Sequence, residues 1–254
     1  MDVPIVVSSY RRPGRVTTTE IIANAKVCVQ KSEYAEYAKY HKKEDLIVHP
    51  DSVRGLWATR QWVNETFGSL FSLDDDMGGM YRIYRPPGYP RKSTVSPTKA
   101  YDIVQETADA ARMAGAYLFG FAPHCNPMIF NCHRPVRFGP YVTGGAFGML
   151  KGSKLFWPKD VLHGGTDDWI CLLNAYYHRF AYLDTRFAFA TRSRFVNPGG
   201  MAEFRVDGSE KKATQYLKKH FGEVVVVKLD KTVGNLGTRK KTPEPRVLRL
   251  PYRV

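Results

Sequence analysis

Three consecutive carboxylates, Asp74-Asp75-Asp76, close an apolar run from Phe67 to Leu73 that reads as a buried strand. Like charges this close repel one another, so they are either solvated at a strand-to-loop turn or gathered around something positive. The cation that suits carboxylate oxygen best is hard and divalent, Mg2+ or Mn2+, and such ions commonly bring phosphates with them. Gly78-Gly79 follows and is expected to turn the backbone tightly beside a ligand. A second acidic centre lies far along the chain, in His163-Gly164-Gly165-Thr166-Asp167-Asp168-Trp169. A helix is expected to open there, with Thr166 as N-cap and Asp167 in the first turn. A carboxylate is favoured at that place even without further work to do. Arg11, Arg12 and Arg15 crowd the loop after the first apolar strand, where they can meet phosphates or simply point into water. His124-Cys125 and Cys132-His133 form a symmetric set, but their spacing matches no zinc motif, and thiols near a loop are the better reading.

The elements that must position these groups follow from pattern. Val3 to Ser8 reads as a strand, one of Thr17, Thr18 or Thr19 as the cap of a helix to about Ala25, and Lys26 to Gln30 as a second strand. Such an opening implies a parallel sheet with ligands at the carboxyl ends of its strands. Ser32 to Lys43 has the spacing of an amphipathic helix, and Leu46 to His49 is a short strand. A helix over Val53 to Phe67, capped by Asp51 or Ser52, carries Arg60. Tyr81 to Pro97, with Arg82, Arg85, Arg91 and Lys92, reads as a long surface loop. A helix from Thr98 to Ala114 and a strand from Ala116 to Ala122 come next. Phe138 to Leu150 reads as strand, glycine turn and strand, with Gly144-Gly145 admitting close approach to the backbone. After the helix that starts at Thr166 come a strand over Leu183 to Ala190, a basic helix over Glu210 to Gly222 and a strand over Val224 to Leu229. The tail from Val233 carries Arg239, Lys240, Lys241, Arg246, Arg249 and Arg253.

The chain has 254 residues, 43% of them apolar, enough for one α/β domain with a real core. Its charge of 38 − 24 = +14 points to a polyanionic partner, most simply nucleic acid. No basic segment followed by a long apolar one opens the chain, and no apolar run approaches a membrane span. Four cysteines do not make a disulfide scaffold, so reduced thiols and a cytoplasmic protein are expected.

The order of these features resembles the GT-A glycosyltransferases. In that family an Asp-x-Asp at a strand end holds a metal and a diphosphate sugar, and a later acidic residue at a helix start takes the acceptor's proton. More narrowly the sequence looks like the TET-associated glycosyltransferases of bacteriophages. The likeness is carried by Ser8-Ser9-Tyr10-Arg11-Arg12-Pro13, Leu73-Asp74-Asp75-Asp76-Met77, Gly144-Gly145 and Gly164-Gly165-Thr166-Asp167-Asp168-Trp169. The resemblance implies a Rossmann-like, GT-A-like α/β domain over 1–230, a mixed and mostly parallel sheet flanked by helices, with a basic arm over 231–254. It implies transfer of a sugar from a nucleotide-sugar donor, a UDP-sugar, to the hydroxyl of a hydroxymethylated pyrimidine such as 5-hydroxymethylcytosine in DNA, in the host cytoplasm if phage-encoded. It places Mn2+ or Mg2+ on Asp74 and Asp76, and the donor near Ser8, Tyr10, Arg11, Arg12, Arg60, Asp74, Asp75, Gly144 and Gly145. Catalysis falls to Asp167 and Asp168, with Asp167 preferred as the base. The chain departs from the family in having Thr166 where an acidic residue usually stands. It also offers only His220, poorly placed, as the late histidine ligand. Other readings of clustered carboxylates are a nucleotidyltransferase or metal nuclease, a DNA-binding module without catalysis, and a GT-A enzyme with a protein or carbohydrate acceptor.

Overall fold

The computed structural model describes residues 2–84, 93–161, 164–192, 209–227 and 246–250. In chain order the strands are β1 (Ile5–Ser8), β2 (Ala25–Gln30), β3 (Leu46–His49), β4 (Leu70–Asp74), β5 (Met77–Arg82), β6 (Ser93–Thr94), β7 (Leu118–Phe121), β8 (Val136–Gly139), β9 (Ala146–Met149), β10 (Ala181–Asp184), β11 (Phe187–Thr191), β12 (Val225–Val227) and β13 (Arg246–Leu248). The helices are α1 (Tyr34–Tyr37), α2 (Gly55–Phe67), α3 (Pro97–Met113), α4 (Thr166–Tyr177) and α5 (Ser209–Phe221).

Eight strands form one sheet in the order β3-β2-β1-β4-β9-β7-β10-β8. Most of its neighbours run parallel; β9 opposes both β4 and β7, and β8 opposes β10. The pleat sorts side chains by alternation. Ile5, Val7, Phe71, Leu73, Phe119 and Phe121 face one way, onto Ala100, Ile103, Val104 and Ala108 of α3. Leu118, Phe147 and Met149 face the other way, onto Trp57 of α2 and Trp169, Ile170 and Leu173 of α4. The small sheet β11-β5-β6 and the β12-β13 pair complete the described residues. This is the expected single α/β domain with a mixed, mostly parallel, helix-flanked sheet.

Several local expectations are corrected. The segment after Thr17 is only a 3-10 turn, Thr18–Glu20, because both threonine hydroxyls bind elsewhere (below). Ser32 to Lys43 breaks into short turns around α1, whose Tyr37 is fully buried. Neither Asp51 nor Ser52 caps α2; Arg54 holds that place, and the Asp51 carboxylate accepts from Ser32 instead. Gly78-Gly79 lies inside β5, so the acidic residues make the turn themselves. Tyr81 and Arg82 belong to the same strand, and residues 85–92 of the expected loop lie outside the described ones. The strand expected over Leu183 to Ala190 is two strands in different sheets. Asp184 accepts from the Arg186 N–H (3.0 Å) and breaks the run. Of the expected basic arm, residues 246–250 are described. They are docked, with β13 paired to β12 and Leu248 and Leu250 packed on the core.

Candidate active site

β1 and β4 are parallel neighbours, and both end at the same sheet edge, with Ser8 opposite Asp74. The acidic turn that follows is clamped from the threonine segment. Thr18 Oγ1 donates to the Asp74 carbonyl (2.6 Å) and accepts from the Met77 N–H (3.0 Å). Thr17 donates its N–H to the Asp75 carbonyl (3.0 Å) and its hydroxyl to the Met77 carbonyl (2.9 Å). Hydroxyls that sequence suggested as helix caps thus fix the Asp-Asp-Asp backbone.

The three carboxylates have different surroundings. Asp75 is buried and occupied: Ser9 Oγ donates to Oδ2 (2.7 Å), and Arg12 Nη1 to Oδ1 (2.7 Å). Tyr37 joins them, its oxygen 2.7 Å from Ser9 Oγ and accepting from the Arg12 N–H (3.0 Å). Burial pushes the Tyr37 phenol up to about 12. Asp75 therefore ties the arginine loop to the sheet and has little left for a ligand. Asp74 opens into a cavity, its side chain 44% exposed. Its carboxyl is raised to about 6, mainly by its depth in the protein and further by Asp76, Asp75 and Asp167; Arg60 opposes the shift. Asp76 lines the same cavity while its carbonyl accepts from the Arg192 N–H (2.8 Å).

Across the cavity, α4 starts at Gly165, in a left-handed conformation (φ 91°) that glycine adopts freely. Thr166 is therefore the first helical residue rather than the cap, and its hydroxyl accepts from Arg60 Nη1 (2.6 Å). Asp167 projects from the first turn against Gly144: a Cβ at Gly144 would lie 2.6 Å from Asp167 Oδ2. At Gly145 a Cβ would lie 2.8 Å from Met77 Cε and 3.2 Å from Asp74 Oδ2. The paired glycines are thus the thin partition that lets the two acidic centres approach. Arg60, almost fully buried, braces this arrangement. Besides Thr166 it donates to the Gly144 carbonyl (2.6 Å) and approaches Asp74 Oδ1 (3.4 Å), with its guanidinium 5.2 Å from the Phe147 ring centre. Its Nε has no hydrogen-bond partner.

The cavity they enclose measures about 570 Å3. On its wall stand Ser8, Tyr10, Arg12 and Arg60, all three aspartates of the turn, Gly144, Gly145 and Asp167. Arg11 and Asp168 do not line it. Arg11 lies over the Tyr10 ring at 5.1 Å, and its N–H donates to Glu33 Oε2 (3.1 Å). Asp168 accepts from Arg246 Nε (2.6 Å), which also donates through Nη1 to Glu210 Oε2 (2.9 Å). Burial raises the Asp168 carboxyl, while Arg246 pulls it down. His163 lies outside the described residues. Of the aromatic side chains on the acceptor side, Trp157, Trp169 and Phe147 are core, whereas Tyr141 is 39% exposed and lines the cavity. Sequence reasoning missed His49, the last residue of β3, which lines the cavity and whose basicity burial lowers. Its place at a strand's carboxyl end was the available signal. Glu210 and Arg246, also on the wall, had none, since ion pairs between distant segments leave no local pattern.

Among the described residues, no group of three or more His, Cys, Asp or Glu side chains converges as a cation cage. His220 points its Nδ1 at the Tyr216 carbonyl (2.8 Å) and packs on Trp169, away from the cavity. Two carboxylates on one wall of a roomy pocket suit a hard cation that keeps most of its shell as water and phosphate oxygen. Asp74 and Asp76 fit that description, and the mutual repulsion at Asp74 is what such a cation would relieve.

No curated protein matches the chain. The family model of the TET-Associated Glycosyltransferase matches residues 4–186, from the strand before the arginine loop through α4 to the start of β11. That span holds both acidic centres, the paired glycines and Arg60 and makes up most of the sequence, so the chain belongs to the TET-Associated Glycosyltransferase family and is a glycosyltransferase.

Proposed function

We propose that the protein moves a sugar from a nucleoside-diphosphate donor, a UDP-sugar, to the hydroxyl of a hydroxymethylated pyrimidine in DNA, with Mg2+ or Mn2+ bound at Asp74 and Asp76. The observation that carries this reading is the shared cavity: two carboxylate centres far apart in sequence face one space across Gly144-Gly145. A cation bound there would offset the negative charge that builds on the departing diphosphate. Arg12, held by Asp75 at the same wall, adds fixed positive charge to that side. The acceptor is a primary alcohol, far too weak an acid to ionise at neutral pH. Asp167 takes its proton as the new C–O bond forms. Thr166 and Arg60 hold the start of α4, and Gly144 sets how close the Asp167 carboxylate stands. A base inside duplex DNA must leave the stack to reach such a cavity, and Tyr141 offers an exposed ring to meet it. The charge of +14 supports a polyanionic acceptor over a neutral glycan or peptide.

The test is mass spectrometry of hydroxymethylated DNA incubated with the protein, Mn2+ or Mg2+ and a panel of nucleotide sugars. The expected result is a mass gain of one sugar on the modified base with release of a nucleoside diphosphate. Pyrophosphate or cut DNA in place of that product overturns the reading. Transfer to a glycan or peptide but never to DNA overturns its acceptor.

A further inference from the structure

Between β7 and β8 the chain makes a long excursion from the sheet edge that carries the cavity. Pro123 and His124 line the cavity at the outgoing end. At the returning end Val136 pairs with Asp184, the last residue of β10, which runs parallel to β7. In between, most residues are exposed. A surface loop is usually polar, yet this one presents Met128, 89% exposed, and Ile129, 49% exposed. Both sit on the 3-10 turn Pro127–Ile129, where Asn126 Oδ1 accepts from the Met128 N–H (3.0 Å). Phe130 anchors the turn from beneath, against Tyr84 and the small cluster of Ile83, Ala122 and Ala188. Two apolar side chains are therefore held out on a supported tip. The charge of this region has one sign. No Asp or Glu occurs between Asp109 and Asp160, while Arg134 and Arg137 stand exposed on the returning limb. Neither guanidinium is ion-paired among the described residues.

We propose that this excursion is the surface on which duplex DNA lies, with Arg134 and Arg137 on its phosphates and Met128-Ile129 pressed into the base stack beside the target nucleotide. The proposal rests on the DNA-acceptor reading above and deepens it. Phosphate contacts fix the register of a duplex without reading its sequence. Apolar wedges of Met or Ile between base steps partly unstack them, and unstacking is the step needed to deliver a base to the cavity. A basic limb without acids in its own sequence, and without ion pairs among the described residues, beside an apolar tip matches an anionic backbone with apolar base faces behind it.

The experiment measures binding of a fluorescent hydroxymethylated duplex over a series of NaCl concentrations, with 2-aminopurine placed next to the modified base. Arg134→Ala/Arg137→Ala is expected to weaken binding at least about tenfold and to flatten the slope of log affinity against log salt by about 2. Met128→Ser/Ile129→Ser is expected to keep the wild-type salt slope and lose the rise in 2-aminopurine fluorescence that wild-type binding produces. Thermal melting checks that each variant is folded, and all four side chains are exposed enough for the substitutions to be tolerated. Wild-type affinity and slope in the arginine variant, or a wild-type fluorescence rise in the serine variant, overturns the surface alone. If the wild-type protein binds no hydroxymethylated duplex, the DNA acceptor falls and the surface falls with it.

Discussion

Adjacent aspartates in this protein do different jobs, and their surroundings tell them apart. Asp75 is saturated by Ser9 and Arg12, whereas Asp74 opens to the cavity and is raised to about 6. The sign of its effect on stability follows from linkage. A carboxyl whose folded pKa lies above its unfolded value favours unfolding once the pH exceeds both values, and this penalty vanishes as pH falls below the unfolded one. Asp74→Asn is therefore expected to stabilise the metal-free protein at pH 7.5, by about 1 kcal/mol after allowance for its partial exposure, and to give no gain near pH 3. Urea unfolding at both values measures this; equal stability of wild type and variant at pH 7.5 contradicts the shift. At Asp167 the expectation concerns rate. Asp167→Asn keeps the shape that packs on Gly144 and removes the proposed proton acceptor, so kcat should fall about 10²- to 10⁴-fold while donor affinity stays. A variant with ordinary turnover would take Asp167 out of the chemistry.

The elements explain why those residues end up where they do. The first turn of α4 packs so closely on Gly144, just before β9, that no Cβ fits there. In Gly144→Ala the start of α4 must move outward, because the added methyl meets Asp167 Cβ (2.7 Å) as well as its carboxylate and side-chain rotation alone cannot clear it. The displaced carboxylate should cost about 10²-fold in kcat, and a crystal structure of the variant would show the displacement of Asp167. Full activity with an unmoved Asp167 would mean that the close approach has no role in rate. The C-terminal strand supplies a second case. Arg246 on β13 is the counter-ion of the largely buried Asp168 and Glu210 on two other elements. Arg246→Ala leaves both acids uncompensated and should cost about 3 kcal/mol. Adding Asp168→Asn should recover part of this in a double-mutant cycle; additive losses would show that the pair is not coupled. These cases mark what was legible in the sequence. The Asp74–Asp76 strand end, the helix α3, and Asp167 at a helix start could be read, because each rests on local patterning. Thr17 and Thr18 looked like helix caps because a hydroxyl that binds a backbone group 56 to 60 residues away has the same local signature as a cap. Arg246 read as part of a free arm for the same reason: its partners lie 78 and 36 residues away.

At the scale of the whole molecule, the proposed site is built to be incomplete without its donor. The described residues offer two carboxylates and no full cation cage, and the cavity wall already concentrates negative charge at Asp74, Asp76 and Asp167. A divalent cation alone would gain two carboxylates and keep the rest of its shell as water, a weak hold; a diphosphate alone would meet Asp74, Asp76 and Asp167 across a wall whose arginines, Arg12, Arg60 and Arg246, are each already engaged by a carboxylate. Each should therefore bind weakly by itself and strongly with the other, which is a coupling between two ligands through one site. Thermal melting reads this directly. Mn2+ alone and the UDP-sugar alone should each move the midpoint little. Together, at about a hundredfold above the joint dissociation constant, they should stabilise by about 2.7 kcal/mol. For a chain of this size that is a rise of roughly 5 to 10 °C. Asp76→Ala should abolish the joint effect and leave the small separate ones. A full shift with the UDP-sugar in the presence of a chelator would show that the donor is held without the cation, and the assignment of Asp74 and Asp76 as its ligands would fail.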